Sequence, residues 1–338
     1  MQSRFLYLVV CFVLLLYGGR IFWQKTSFSP LKVMEVSYAH QRNLTGKGLI
    51  VAVLDEGFDA SHGALKPQLS SYRYNTANQR NDVSETVVFS NGSFRFESHG
   101  THVAGIIANV APDAKIIPIK VQGFDGDQDF VKALQIASKS PAHIVNISLR
   151  LSHTGRKLSP NVYAALIKLA QSGKIIVIAA GNEGVSLMKN AYTASLVQLS
   201  HDPEMQERLI LAGALSYKNG SESLAEFSNF PGNSSSGISQ TYFITAPGED
   251  ILSTITGGYF GEKSGTSMAA PMVVGALCLL MQAFPESTPE NVARLLLTSA
   301  RKVSIDSLPV SLNTFGQGIV DLKAALDKGW NISRGALL

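Results

Sequence analysis

An α/β fold with a mostly parallel central sheet flanked by helices is predicted by three features of the sequence. Leu49–Leu54 (LIVAVL) and Ile175–Ala180 (IIVIAA) are short apolar runs with no polar alternation, as expected of strands buried on both faces. Amphipathic segments near Asp129–Ser138, Asn161–Ser172 and Pro289–Ser299 supply helices to cover such a sheet. A chain of 338 residues can bury one large core, and no repeat, low-complexity tract or long linker divides it.

The first element is apolar. After Arg4 come the thirteen residues Phe5–Tyr17 (FLYLVVCFVLLLY), followed by Gly18-Gly19-Arg20. At about 1.5 Å per residue such a helix reaches about 20 Å, short of a bilayer core of about 30 Å. Residues 1–24 are therefore expected to be either a cleaved signal peptide or an N-terminal membrane anchor. The remainder is expected outside the cytoplasm, whether secreted, periplasmic or held at the membrane. Arg4 on one side and Arg20 and Lys25 on the other leave the orientation open.

Next, the run Leu49–Leu54 ends at Asp55 (VLDEG), and the carboxyl ends of strands are where open α/β sheets place functional groups. His99 opens a helical stretch, HGTHVAGIIANV, whose small residues allow close packing. Ile175–Ala180 runs into Gly181-Asn182-Glu183-Gly184, and Ser267 opens TSMAAPMVVGALCLLMQAF at a helix start, in a field that favours negative charge. Asp, His and Ser are the groups that activate a hydroxyl near neutral pH. The imidazole takes the proton, and the carboxylate fixes its tautomer and steadies its charge. Read singly, Asp55 is a cap or turn residue, His99 a core histidine, Asn182 a turn residue and Ser267 a helix cap. Their order and contexts favour a catalytic set. His62 and His102 read as structural, since no zinc-ligand spacing includes them.

On GTSMAAP at Ser267, HGTHVAG at His99 and DEG at Asp55 (a weaker form of Asp-Thr/Ser-Gly), the chain from about Val36 to about Leu326 resembles the subtilisin-like serine proteases, or subtilases. The resemblance implies a three-layer subtilisin-like fold, with Phe315–Leu326 as its closing turn and helix and residues 25–338 as one catalytic domain. It also implies a serine endopeptidase working through an acyl-enzyme on a polypeptide substrate. Ser267 would attack, His99 shuttle the proton, Asp55 orient His99, and Asn182 and the Ser267 N–H hold the oxyanion. A peptide ligase or cyclase using the same acyl-enzyme, and a catalytically silent anchored peptide-binding protein, are the alternatives. Substrate binding is assigned to Ser148, Leu149 and Arg150, where subtilases carry Ser-Leu-Gly, and to Glu183 and Gly184 across the pocket. Arg150 either favours acidic or small side chains or narrows the cleft, and Glu183 tolerates basic ones, so the tendencies oppose each other and leave the preference open.

Several departures from the family accompany these matches. No prodomain is recognised between the apolar segment and Asp55, so the enzyme is expected either to fold unaided or to be restrained by the stretch Gln24–Lys32 or by a separate inhibitor or activator. No cofactor or metal is expected. Ala64 stands where an aspartate often binds a structural calcium, and the usual ligand loop is missing after IIANV, which leaves Asp125, Asp127 and Asp129 as a weak substitute. Met272 replaces a frequent histidine and reads as a packing change. Cys11 lies in the apolar segment and Cys278 in the serine helix, so no disulfide is expected. The excess of 29 Lys+Arg over 25 Asp+Glu is unclustered and gives no nucleic-acid surface; a monomer is expected.

Overall fold

The computed structural model describes residues 29–335 apart from 78–80, 86, 91–92, 122–125, 153–156, 206, 219–220, 234–238, 306–307 and 310–311. The N-terminal apolar segment with Cys11, residues 25–28 and Asp125 lie outside the described residues. The central strands are β1 (Ile50–Asp55), β2 (Lys115–Lys120), β3 (Ile144–Ile147), β4 (Ile175–Ala179), β5 (Leu209–Lys218) and β6 (Phe243–Pro247). They run parallel in the order β6-β5-β4-β3-β1-β2 within an eight-stranded sheet. Tyr74–Asn75 continues it in parallel beyond β2, and Ser221–Leu224 pairs antiparallel with the end of β5. The mostly parallel sheet expected from the buried runs is therefore present.

Helices cover both faces: α1 (His99–Val110), α2 (Asp127–Lys139), α3 (Pro160–Gln171), α4 (Ala191–Ser200), α5 (Thr266–Ala283), α6 (Pro289–Thr298) and α7 (Leu322–Gly335). The starts of α3 and α6 follow local chemistry. Ser159 and Thr288 accept the N–H groups of Val162 and Asn291, each with proline at the next position, where its missing N–H costs nothing. A hairpin, β7 (Ile251–Ile255) and β8 (Tyr259–Lys263), leads into α5.

The period of two along the strands sorts most of the apolar residues into two large cores, beside a small third cluster around Leu215 and Phe315. Val51 and Val53 of β1 pack in one with Val103 and Ile107 of α1 and Val273 and Leu277 of α5. Ala52 and Leu54 pack in the other with Leu134 of α2 and Leu166 of α3. All four β1 residues are fully buried, which is why the run shows no polar alternation. Asp55 shares the parity of Val51 and Val53, so it emerges on the face covered by α1 and α5. The chain passes from β1 to β2 on one side and then crosses to β3 on the other, which opens the switch point beside Asp55.

Helix α5 is apolar on all sides and passes through the core. Cys278 is buried within it, and burial pushes its thiol up to about 12, so it stays protonated. Pro271 sits inside this helix without the N–H that would reach the carbonyl of Ser267 four residues back. Ser148, just past β3, fills the vacancy: its Oγ donates to Ser267 O at 3.0 Å. In return Ser267 Oγ donates to Ser148 O at 3.1 Å. Two reciprocal hydrogen bonds thus pin the start of α5 to the end of β3.

Ser148→Ala leaves the Ser267 carbonyl without a donor and is expected to cost about 1–3 kcal/mol in denaturant titrations. Adding Pro271→Ala restores a backbone donor and should recover part of that loss. Equal destabilisation with and without Pro271→Ala would show that the exchange does not operate.

Candidate active site

Asp55 is fully buried at the end of β1, and its Oδ1 accepts from Glu56 N–H (2.9 Å) and from His99 Nδ1 (2.7 Å). The approach requires Gly100. A Cβ there would overlap the Gly57 carbonyl oxygen and come within 2.8 Å of Asp55 Cβ. With Nδ1–H given to the carboxylate, Nε2 is left as the basic nitrogen. Burial pulls the His99 pKa down, but the charge and hydrogen bond of Asp55, reinforced by Glu56, outweigh it and leave it above the ordinary value.

Helix α1 starts under constraint. Ser98, just before His99, is left-handed (φ 51°, ψ 15°), a region unusual for a residue with a side chain. Its N–H donates to Glu85 Oε2 (3.1 Å), and its Oγ donates to Thr256 Oγ1 (2.8 Å). The other Glu85 oxygen accepts from Thr101 Oγ1. A carboxylate at a helix N-terminus complements the helix dipole, although burial raises the Glu85 pKa. Neither Glu85 nor Thr256 is visible as a partner in the sequence, because both lie in segments without periodicity.

Asn182 follows β4 with its amide orientation fixed. Its Oδ1 accepts from Thr266 N–H (2.8 Å) and Thr266 Oγ1 (2.9 Å), so the amide NH2 must occupy the other end. Thr266 Oγ1 also accepts from Gly181 N–H at 3.1 Å. The one sequence signal for Thr266 is its place directly before the serine in GTSMAAP. Buried Asn229 secures the loop from beneath through Ala180 O (3.1 Å), Val185 N–H (3.0 Å) and Glu183 Oε2 (2.6 Å). No sequence pattern marks it, since it acts across a gap of forty-six positions.

Of the residues assigned to substrate binding, Ser148 is bonded to Ser267, and Arg150 and Glu183 are brought together. Ser148 lies beside Ser267, with Leu149 and Arg150 following it. The expected opposition between Arg150 and Glu183 is replaced by an ion pair between Arg150 Nη2 and Glu183 Oε1, so each charge neutralises the other. Gly184 is bound into the loop by its N–H to Phe227 O (2.7 Å).

His62 and His102 are held by backbone groups. His62 Nδ1 accepts from Ala64 N–H (3.2 Å), leaving Nε2–H for Tyr259 O (3.0 Å); His102 Nε2 donates to Gly261 O (3.0 Å). Burial pushes the His102 pKa down to about 4, keeping it neutral near pH 7. The residues at the family's calcium position do not fit the ion. Ala64 offers no side-chain oxygen, and α1 passes through Ala111–Ala114 directly into β2. Asp127 and Asp129 instead occupy the first turn of α2, where carboxylates suit the dipole. Among the described residues, no group of three or more His, Cys, Asp or Glu side chains is arranged to hold a metal.

The Subtilase family profile matches residues 46–318. An intracellular serine protease of Paenibacillus polymyxa is 33% identical over 249 residues, covering 70% of this chain and 68% of its own length. Subtilisin E of Bacillus subtilis is 32% identical over 301 residues, 85% of this chain and 68% of that protein. The crystal structure of fervidolysin from Fervidobacterium pennivorans, described as a keratinolytic enzyme related to subtilisin, matches with a TM-score of 0.67 at 27% identity. The match covers 88% of this chain and 45% of that longer one. With a parallel sheet of this topology and a family match over most of its length, the chain belongs to the subtilase family and is a serine endopeptidase.

Proposed function

We propose that Ser267, His99, Asp55 and Asn182 hydrolyse peptide bonds in polypeptide substrates through an acyl-enzyme on Ser267. The observation that carries this reading is the 2.7 Å hydrogen bond from His99 Nδ1 to the buried Asp55 carboxylate. It commits the imidazole to the tautomer whose Nε2 accepts a proton. In the free enzyme the Ser267 hydroxyl rests on the Ser148 carbonyl oxygen. Rotation about its Cα–Cβ bond transfers it to Nε2 when substrate is bound, in keeping with catalytic hydrogen bonds that tighten in the Michaelis complex.

As Oγ attacks the scissile carbonyl, its proton passes to Nε2 and the electron pair of the C=O moves onto oxygen. The Asn182 amide, already fixed by Thr266, donates to that oxyanion without reorganising. Collapse expels the amine, which takes the proton from Nε2, and water repeats the sequence to release the acid. Residues 25–338 are proposed as the catalytic domain. The apolar run Phe5–Tyr17 supports export, either as a cleaved signal or as a retained anchor.

A fluorophosphonate probe is expected to label the wild-type enzyme at Ser267 and to leave Ser267→Ala unlabelled; labelling elsewhere would overturn the assignment. Loss of one oxyanion donor in subtilisin costs about 10²–10³ in kcat, and Asn182→Leu is expected to fall in that range with KM little changed. Glu56 helps to hold the His99 pKa up, so Glu56→Gln should lower it. Because the base must be neutral, the acidic limb of kcat/KM is then expected at lower pH in the variant. A limb that stays in place or moves upward would remove Glu56 from the account. Fractionation of cells making the full chain, with mass analysis of its N-terminus, should find the catalytic domain outside the cytoplasm.

A further inference from the structure

Building on the assignment of Ser267 as nucleophile, we infer that the Arg150–Glu183 ion pair bridges the pocket for the side chain that precedes the scissile bond, and restricts it to small uncharged residues. Location argues for this. The acyl carbon is bonded to Ser267 Oγ, whose resting partner is the carbonyl of Ser148, two residues before Arg150. The acyl oxygen faces Asn182, immediately before Glu183. A side chain on the adjoining α-carbon therefore enters the gap between the ends of β3 and β4, which are paired neighbours (Ile147 opposite Ile178). Arg150 follows β3 and Glu183 follows β4, and their ion pair joins the chain segments that leave these two strands.

Each partner is anchored from behind. Glu183 Oε2 accepts from Asn229 Nδ2 at 2.6 Å, and the carboxylate lies over Gly181, where a Cβ would come within 2.7 Å of Oε2. Gly181 has φ 103°, so the backbone there also suits glycine. The Arg150 guanidinium lies 5.1 Å from the ring centroid of buried Tyr192, whose hydroxyl accepts from Leu151 N–H at 3.1 Å. Both charges are thus committed to each other and to fixed neighbours. A basic side chain must compete with Arg150 for Glu183, an acidic one with Glu183 for Arg150, and a bulky one must displace the bridge. A small neutral side chain meets none of these costs.

The test uses the full chain and four peptide anilides that differ only before the scissile bond: Ala, Phe, Lys and Glu. The wild type should show kcat/KM for Ala exceeding each of the others by about tenfold or more, a ratio within reach of pocket discrimination. Arg150→Gly opens the space and frees Glu183, so the Phe and Lys values should rise by about tenfold relative to Ala. Glu183→Gln frees Arg150 and should raise Glu; it also carries the test if Arg150→Gly does not fold. The double variant should accept Phe but not Lys. Wild-type enzyme that cleaves Phe or Lys as well as Ala, or folded variants with unchanged profiles, would overturn the bridge. Fluorophosphonate labelling separates the two readings: labelled enzyme with the wrong profile overturns the bridge alone, whereas unlabelled wild type overturns both.

Discussion

A carboxylate without solvent exposure at the end of the central strand sets the terms for its surroundings. Burying Asp55 is costly unless its charge is met by hydrogen bonds, and the two that meet Oδ1 come from the next backbone N–H and from His99. Helix α1 must therefore begin against the strand, and only glycine at position 100 permits that approach. The left-handed Ser98, the buried Glu85 and the Thr256 contact are the means by which the chain turns into α1 at that place. One interaction thus accounts for the position of a helix, the tautomer of an imidazole and the identity of a glycine.

The second helix is placed by a different exchange. Proline at 271 forfeits a helical hydrogen bond, and the free carbonyl belongs to Ser267. Ser148 takes it up, so the start of α5 is tied to a strand instead of to its own next turn. Thr266, one residue earlier, orients Asn182 from the same helix start. The segment GTSMAAP therefore carries the serine, the residue that fixes the Asn182 amide and the proline that creates the tie. A helix apolar on all sides can serve this way because it is embedded in the core, where side chains hold their positions.

Much of this was legible in the sequence because it depends on local pattern. The run Leu49–Leu54 announced β1, HGTHVAGIIANV matched the span of α1, and the segment opening with Ser267 became α5. The expected helices near Asp129, Asn161 and Pro289 match α2, α3 and α6 to within two residues at each end, and the start at Pro289, set by a cap and a proline, coincides. Less legible were groups whose partners lie far along the chain, such as Glu85 with Ser98, Asn229 with Glu183 and Tyr192 with Arg150. Periodicity speaks of the face a residue lies on and not of what stands opposite.

The sequence by itself determined the α/β class, the strands and helices that carry Asp55, His99, Asn182 and Ser267, and the apolar character of residues 5–17, since these follow from spacing and residue type. Tertiary structure decided how side chains on different elements share charge and hydrogen bonds. Arg150 and Glu183 read separately as opposite substrate preferences, and folding turned them into one neutral pair. The reason is distance: electrostatic and hydrogen-bond energies depend on a few ångströms of separation, and separation in space between residues thirty-three positions apart is set only when the sheet brings the ends of β3 and β4 together.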